Sequence, residues 1–141
     1  MIRIMKDGPS QDVQRRGIAL LMLTTFVPAA YEKLKEPAVP KWFLDQFAPT
    51  LLGAIPETLP LQFYVIALLE VVVAVVMVMA LLKRNNTESL RAGLGLAFVT
   101  FLALGFGQRI SHKFDGAAQL FAYAGLTWLF LQHIRSEKEI K

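Results

Sequence analysis

The residue whose type and position most strongly indicate chemistry is Glu70. It lies near the middle of the apolar run LQFYVIALLEVVVAVVMVMALLKRNN, which begins at Leu61. A charged side chain at the centre of a bilayer costs about 2.5–3.5 kcal/mol even on a lenient scale, so this carboxyl is either protonated or paired with a polar group. Two interpretations stay open. Glu70 either binds a ligand or handles protons, or it only hydrogen-bonds a neighbouring helix and stabilises the structure.

The neighbours of Glu70 predict where its side chain points. On a helix, the residues at three- and four-residue steps from it are Phe63, Ala67, Ala74 and Met77. Small residues let helices approach closely in lipid. We therefore predict that Glu70 points into a helix bundle.

Small residues also recur on the third and fourth apolar segments of the chain. They are Gly93, Ala97, Thr100, Ala118, Ala122 and Gly125. Their helical spacing predicts two stripes that face each other where these segments pack.

Other polar side chains concentrate in the half of the apolar segments that we predict to face outward. They end the first and third segments, or share a face of the fourth at i, i+4, and they are Lys33, Gln108, Arg109, His112, Gln119 and Tyr123. The other half of the segments is nearly pure hydrocarbon. The pattern predicts a polar pocket that opens outward, with Glu70 at its floor.

The residue types that are absent restrict the chemistry further. The chain has no cysteine, which excludes a disulfide, a cysteine-ligated iron–sulfur cluster, thioether-linked haem and a thiol nucleophile. His112 and His133 lie at opposite ends of predicted helices, roughly 30 Å apart, too far to ligate one haem within a chain. No His and carboxylate spacing matches a zinc site, and no glycine-rich phosphate loop follows a strand. We expect the chain to bind no metal and no covalently attached cofactor. Any redox chemistry would be supplied by a quinone in the pocket or by a partner subunit. The chain is therefore not expected to be catalytic alone.

The elements that must position these residues are transmembrane helices. The chain is 55% hydrophobic and only 18% charged, with a mean hydropathy of +0.46, which is typical of a membrane protein. Residues 59 to 82 would form a helix of roughly 36 Å, enough to cross a bilayer. Shorter apolar runs cover residues 17–31, 92–108 and 116–132. Because unpaired backbone groups are costly in lipid, and the runs lack the alternation of barrel strands, we predict helices.

The predicted fold is an all-α integral membrane four-helix bundle in one domain, residues 17–135. It lies between a polar N-terminal segment, residues 1–16, and a polar tail, residues 136–141. A cleaved signal peptide is an alternative for the first run, because Arg15 and Arg16 precede its apolar core and the small-residue sequence VPAA follows. The length of the segment before the core argues against that alternative.

The basic residues predict the orientation. On the four-span model residues 1–16, 83–91 and 133–141 share one face and carry ten Lys and Arg: Arg3, Lys6, Arg15, Arg16, Lys83, Arg84, Arg91, Arg135, Lys138 and Lys141. The other face carries five: Lys33, Lys35, Lys41, Arg109 and Lys113. Basic residues concentrate on the cytoplasmic side, so both termini are predicted to be cytoplasmic. The net charge of +4 then reflects membrane topology, and nucleic acid is not an expected partner.

The long first outer connection contains a short amphipathic stretch. The sequence KWFLDQFAPTLL begins at Lys41 and puts Trp42, Phe43, Phe47 and Leu51 near one helical face. This predicts a short helix that lies in the membrane interface or caps the bundle. Its aromatic residues would anchor the connection, and a substrate lid is the alternative.

Three segments resemble the DoxX-like family of small membrane proteins. AAYEKLKEP resembles the family's lysine-leucine motif at the end of the first helix, here Lys33 and Leu34. IALLEVVVAVVMVMALLKR is similar to the family's second helix with its glutamate, here Glu70, and GQRISHKFDGAAQL resembles the polar turn, often with histidine, between the last two helices. The resemblance covers roughly residues 17 to 135. It implies a four-helix protein of the bacterial inner membrane in which Lys33, Glu70 and His112 are the family's polar positions.

The resemblance and the predicted pocket together leave two function classes. Some DoxX-like proteins are associated with membrane redox systems, including subunits of thiosulfate:quinone oxidoreductases. The first class is therefore a noncatalytic or quinone-side subunit of such an assembly. Its predicted pocket would accept a quinone head group through Glu70, Arg109 and Tyr123. The alternative is a stand-alone protein that binds a lipid or small ligand, or a structural subunit of a larger complex; a homo-oligomer fits either class. A proton-coupled transporter is a weaker third interpretation, because a proton relay normally needs several ionisable residues within the membrane.

Overall fold

The computed structural model describes residues 10–83 and 87–139. Within these ranges the chain is all-helical and contains no β-strand, which confirms the predicted fold class at that level. Its α-helices are α1 (Gln11–Leu34), α2 (Lys41–Phe47), α3 (Leu59–Leu82), α4 (Thr87–Ile110) and α5 (Phe114–Glu139). Two short 3-10 turns, Leu51–Gly53 and Pro56–Thr58, connect α2 to α3. Of the basic residues used for the predicted orientation, Arg3, Lys6, Arg84 and Lys141 lie outside the described residues.

Three helices in the described part of the chain are long and apolar enough to cross a membrane. They are Gln11–Leu34, Pro56–Leu82 and Thr87–Ile110. Helix α5 is as long as the others, with 26 residues, but Gln119, Gln132 and His133 lower the hydropathy of its uncharged stretch. The chain therefore has the helices of a membrane protein.

The long helices pack in chain order. Helix α1 lies against α3, α3 against α4, and α4 against α5. Each contact buries apolar side chains of one shared core, which includes Phe26 of α1, Met77 of α3, Leu94 of α4 and Ile134 of α5. At one end of this core α1 and α5 also meet, where His133 Nε2 lies 2.9 Å from Gln14 Oε1. We call this the α1–α5 end, and the opposite end, which carries α2, the α2 end.

The predicted small-residue stripe is correct on α4 and wrong on α5. All three predicted α4 residues are buried. On α5, Ala118, Ala122 and Gly125 are exposed, and the side that packs on α4 carries Ala117 and Ala124 instead. A shift of one residue rotates a helix face by about 100°. Since α5 is apolar or small on most of its circumference, the pattern of residue types did not identify its packed face.

One close contact accompanies the difference between the predicted and the observed packed face of α5. The ring of Phe121 lies against the backbone of α4 at Gly105, where an added Cβ would lie 2.8 Å from the ring. A Cβ at residue 105 would force the ring of Phe121, which is 42% exposed, to shift, so Gly105 lets this ring lie directly against the backbone of α4.

The connection between α1 and α3 folds onto the end of α3. Helix α2 ends at Phe47, earlier than predicted, because Pro49 cannot continue the helical hydrogen bonds. Phe43 and Phe47 are buried, and the ring of Phe43 lies 5.0 Å from that of Phe63 on α3. Two of the three predicted interfacial anchors therefore form a small core of their own, whereas the third, Trp42, is 56% exposed.

Candidate functional site

Glu70 is paired with a lysine from another helix. Lys33 Nζ donates a hydrogen bond to Glu70 Oε1 at 2.9 Å, and the two charges form an ion pair. Lys33 lies in the last turn of α1 and Glu70 in the middle of α3. The contact therefore joins two helices that are neighbours in the bundle.

The carboxylate of this pair lies deep inside the protein. Glu70 is 1% exposed, and the residues on its own helix face, Phe63, Ala67 and Met77, are buried to the same degree. The prediction that Glu70 points into the bundle is confirmed. Among the described residues its second oxygen, Oε2, has no hydrogen-bond partner. Lys33 remains 18% exposed, so the pair runs from the core towards the surface.

A cavity lies beside the exposed end of this pair. Its volume is about 330 Å³, and most of its wall is apolar or aromatic, contributed by α2, α3 and α4. The polar side chains in the wall are Lys33, Gln62 and Gln108. Glu70 is not part of the wall and reaches the cavity only through Lys33. The cavity thus presents one fixed ammonium group and two amides to an otherwise apolar space.

The mouth of the cavity lies on the apolar exterior of the helices. Three residues of its wall are about half exposed: Trp42 at 56%, Val65 at 47% and Phe106 at 49%. Val65 lies near the start of α3 and Phe106 near the end of α4, both within helices apolar enough to cross a membrane. The opening therefore lies on the apolar surface that such helices would present to the acyl chains of a membrane. Lys33 and Trp42 also line a second depression of about 600 Å³ formed by the polar connection from Glu32 to Trp42.

Helix α2 forms the roof of the cavity, and hydrogen bonds attach it to the turn after α4. Gln46 Nε2 donates to Ser111 Oγ at 3.1 Å, and Ser111 Oγ donates in turn to the backbone oxygen of Gln108 at 3.1 Å. At Gly107 an added Cβ would lie 3.4 Å from the ring of Phe47. The roof is therefore held by polar contacts on one side and by aromatic packing on the other.

The structure brings some of the predicted site residues together and separates others. Lys33 and Gln108 line the cavity, and Glu70 lies behind the wall, paired with Lys33. Arg109 is exposed, and its guanidinium lies 4.4 Å from the centre of the Phe114 ring. Gln119 and Tyr123 are exposed on α5 and are not part of the cavity wall. The cavity thus differs from the predicted polar pocket, because most of its wall is apolar and Glu70 is not its floor; its few polar groups come from α1, α3 and α4.

His112 has a backbone role in the structure. Its φ of 60° is the left-handed conformation, and its N–H donates to the carbonyl of Arg109 at 3.2 Å. The next N–H, of Lys113, donates to the carbonyl of Gln108 at 2.9 Å. These two bonds satisfy carbonyls at the end of α4 in the Schellman arrangement. His112 thus ends the helix and starts the tight turn into α5.

Sequence reasoning missed Gln62, which lies one turn into α3. Its Nε2 donates to the backbone oxygen of Leu52 at 3.0 Å and to Thr58 Oγ1 at 2.9 Å, while its Oε1 lies in the protein without a partner in the described residues. A polar residue at the first turn of an apolar helix was the available signal. In the described ranges, no group of three or more His, Cys, Asp or Glu side chains is placed to hold a metal ion.

Comparisons with protein-family models, with characterised proteins and with solved structures find no match to this chain. The argument on function therefore depends on the geometry of the cavity and of the ion pair.

Proposed function

We propose that this chain is a DoxX-like, four-span membrane protein that acts as a noncatalytic or quinone-side subunit of a membrane redox assembly. In this proposal the cavity holds the head group of a quinone beside Lys33. The observation that carries it is the combination of an apolar cavity of about 330 Å³, a lysine fixed by Glu70 in its wall, and a mouth on the apolar exterior.

The chemistry of a quinone matches these features. A quinone head group is a flat ring with carbonyl acceptors, which a lysine ammonium can donate to. The indole of Trp42 in the wall, which is 56% exposed, is available to stack on such a ring. The cavity is at the lower end of the roughly 300–1,000 Å³ typical of ligand sites, so the apolar tail would leave through the mouth between Val65 and Phe106 into the acyl chains.

The four-span topology is part of the proposal. Helix α5 has 26 residues, so it is roughly 39 Å long and able to cross a bilayer. Packing against α4 covers one side of it, where its buried Thr127 donates to the backbone oxygen of Tyr123. The excess of basic residues in the sequence segments 1–16, 83–91 and 133–141, ten against five in the rest of the chain, supports cytoplasmic termini in a bacterial plasma membrane. On this topology α2 lies at the outer interface, with Trp42 as its exposed anchor.

The electrons in such an assembly would be carried by a partner. The chain has no cysteine to hold an iron–sulfur cluster or thioether-linked haem. This chain would contribute the binding site, and a second subunit would contribute the redox centre.

Tryptophan fluorescence tests quinone binding directly, because the chain has only two tryptophans. Trp42 lies in the cavity wall, whereas Trp128 packs against Phe98 on the far side of α4, with ring centroids 5.4 Å apart. In nanodiscs, a benzoquinone with a decyl tail should quench Trp42 saturably in the Trp128→Phe variant. In the matched Trp42→Phe variant it should quench Trp128 only in linear proportion to its concentration in the lipid. Equal, linear quenching of both would reject the quinone site.

Glu70→Gln tests the role of the ion pair in binding. The amide keeps the shape and one acceptor for Lys33 but loses the charge that holds the ammonium at the cavity wall. We expect the detergent-solubilised yield to match that of the unsubstituted protein and the saturable quenching of Trp42 to be lost. Unchanged quenching would show that Glu70 is structural.

Two observations favour a second candidate function, that of a stand-alone lipid- or ligand-binding protein or a structural subunit. First, the ion pair is formed within the chain, as expected of a purely stabilising contact. Second, Ala118, Ala122 and Gly125 form a small-residue face on the exterior of α5, where another helix could pack. Native mass spectrometry of protein extracted gently from its own membrane separates the two functions. A copurified cofactor-bearing chain or a released quinone supports the redox assembly, and recovery with ordinary lipid alone supports the second candidate.

A further inference from the structure

A surface depression lies between α4 and α5 at the α1–α5 end, away from the cavity under α2. Its volume is about 430 Å³, and it is lined by Glu88, Arg91, Ala92, Leu131 and Arg135. The first three residues belong to the start of α4 and the other two to the C-terminal part of α5. Charged side chains from two helices therefore share one depression with apolar neighbours.

The two arginines of this depression have no ion-pair partner. Among the described residues, neither Arg91 nor Arg135 forms an ion pair or a side-chain hydrogen bond. Arg91 is half-buried and Arg135 is exposed, so both are accessible from outside. A guanidinium carries five N–H donors in a planar arrangement that matches the oxygens of a phosphate group. The depression thus offers unused donors of the kind that bind phosphate.

Glu88 reduces the positive charge of the depression without cancelling it. It lies one turn before Arg91 on α4, and no ion pair joins the two side chains in the described ranges. Two arginines and one carboxylate leave one net positive charge. A head group with one negative charge would balance that charge, whereas a zwitterionic head group would leave it and bring an ammonium close to the arginines.

An apolar surface continues from the depression towards the middle of the helices. On α5, Arg135 shares a face with Leu131 and Trp128, and the ring of Trp128 lies 5.4 Å from that of Phe98 on α4. Gly95, one turn further along α4 than the arginine of that helix, has nothing within 4 Å of an added Cβ. Trp128 is 42% exposed and lies roughly 10 Å from Arg135 along the helix axis. An acyl chain that starts at the arginines can therefore lie along this surface as far as Trp128.

We propose that the depression binds the phosphate of an anionic phospholipid of the bilayer, such as phosphatidylglycerol, with an acyl chain directed towards Trp128. The inference goes beyond the proposed function: it depends on the proposed four-span topology and not on the quinone site. A free phosphate ion shares the phosphate chemistry, but it makes no use of the apolar surface at Leu131 and Trp128. We expect phosphatidylglycerol to be preferred about fivefold over phosphatidylcholine, the effect of roughly one net positive charge near a membrane surface.

Quenching of Trp128 by brominated lipids tests the preference. The Trp42→Phe variant leaves Trp128 as the single tryptophan of the chain. It is placed in phosphatidylcholine nanodiscs that contain increasing fractions of phosphatidylglycerol, phosphatidylcholine or phosphatidylethanolamine brominated on the upper half of the acyl chains. Brominated phosphatidylglycerol should reach a given quenching at about one fifth of the fraction that brominated phosphatidylcholine needs.

Four substitutions in the same background identify the groups responsible. Arg91→Gln and Arg135→Gln should each remove most of the preference, because each leaves the depression without net charge. Glu88→Gln should raise the preference about fivefold. Arg16→Gln is the matched control: it removes a positive charge at the same end of the molecule, but on α1, where Arg16 Nε lies 3.2 Å from Asp12 Oδ2. Unchanged quenching by brominated phosphatidylcholine shows that a variant keeps its fold.

The outcomes separate this inference from the proposed topology. Equal quenching by the three brominated lipids would keep α5 in the membrane and overturn the preference. Strongest quenching by phosphatidylethanolamine would also overturn it, as would a preference that persists in both arginine variants. Inorganic phosphate that reduces the preference more than chloride does at the same ionic strength would assign the depression to a free phosphate. Absence of quenching by every brominated lipid would show that Trp128 does not face acyl chains and would reject the four-span topology.

Discussion

At the scale of single residues, the contact between Lys33 and Glu70 determines how a charge is accommodated inside this protein. The carboxylate is 1% exposed and the lysine 18%, so neither group is fully hydrated. Removing one partner of a buried pair leaves the other charge uncompensated, whereas replacing both by apolar groups is often nearly neutral. The pair is therefore expected to behave as a unit in mutagenesis.

We predict strong coupling between Lys33→Met and Glu70→Met. Each single substitution should lower the free energy of unfolding, towards the lower end of the roughly 3–5 kcal/mol reported for breaking buried pairs, because Lys33 keeps some access to solvent. The double variant should be less destabilised than the sum of the two by about 1–3 kcal/mol. Unfolding in mixed detergent micelles measures all four proteins. Lys35→Met, at an exposed lysine two residues away, is the matched control, and simple additivity would contradict the coupling.

At the scale of elements, the tight turn between α4 and α5 depends on a residue in the left-handed conformation. His112 holds that position with a φ of 60°. A residue with a Cβ is disfavoured there by roughly 1–2 kcal/mol relative to glycine, although histidine tolerates it better than most. The position therefore needs backbone freedom more than it needs an imidazole.

His112→Gly is accordingly predicted to stabilise the protein by about 0.5–1 kcal/mol, and His112→Val to destabilise it by at least as much. Thermal unfolding in detergent gives both values. Quinone binding should be unchanged in His112→Gly, because the exposed imidazole is not part of the cavity wall. Loss of binding in the glycine variant would restore His112 as a site residue.

The roof of the cavity depends on a close contact between two parts of the backbone just after α2. At Gly53 an added Cβ would overlap the backbone carbonyl of Ala48, just after α2. Gly53→Ala should therefore displace the connection that holds α2 over the cavity, at a cost of about 1–3 kcal/mol. Hydrogen exchange should show faster exchange in residues 41–53 and little change in α3. Gly95→Ala is the matched control, since nothing lies within 4 Å of an added Cβ there; equal effects of the two substitutions would contradict the prediction.

At the scale of the whole molecule, the open question of topology is whether α5 crosses the membrane. The absence of native cysteines allows single cysteines to report the side of the membrane without background labelling. Lys113 lies in the turn that precedes α5 and Ser136 near its end, and both are exposed. A crossing helix places these two positions on opposite sides.

We predict that a membrane-impermeant maleimide labels Lys113→Cys in intact cells, and labels Ser136→Cys only after permeabilisation. Glu36→Cys, in the connection between α1 and α2, should behave like Lys113→Cys, and Glu88→Cys, in the first turn of α4, like Ser136→Cys. Labelling of both α5 positions from the same side would reject the four-span topology. Labelling of Glu88→Cys and Ser136→Cys in intact cells, without labelling of Lys113→Cys and Glu36→Cys, would invert the predicted orientation.

The helices and the inward orientation of Glu70 could be predicted from the amino-acid sequence alone. Long runs of apolar residues can satisfy their backbone only as helices, and a lone carboxyl among small and apolar neighbours has to turn away from hydrocarbon. The sequence also indicated that α2 would be a short aromatic helix between the first two long helices. Each of these results follows from local composition and spacing.

Which polar groups contact each other could be read only from the three-dimensional structure. Lys33 lies 37 residues before its partner, and among several polar candidates at the same predicted depth nothing local selects it over Arg109 or Tyr123. The packed face of α5 was missed because a helix that is apolar or small nearly all round carries no contrast from which periodicity could be read. The orientation of the Gln62 amide depends on where Leu52 and Thr58 lie in space. The hydrophobicity of a segment determines whether it is buried. Close packing between segments that are distant in the sequence determines which side chains contact each other.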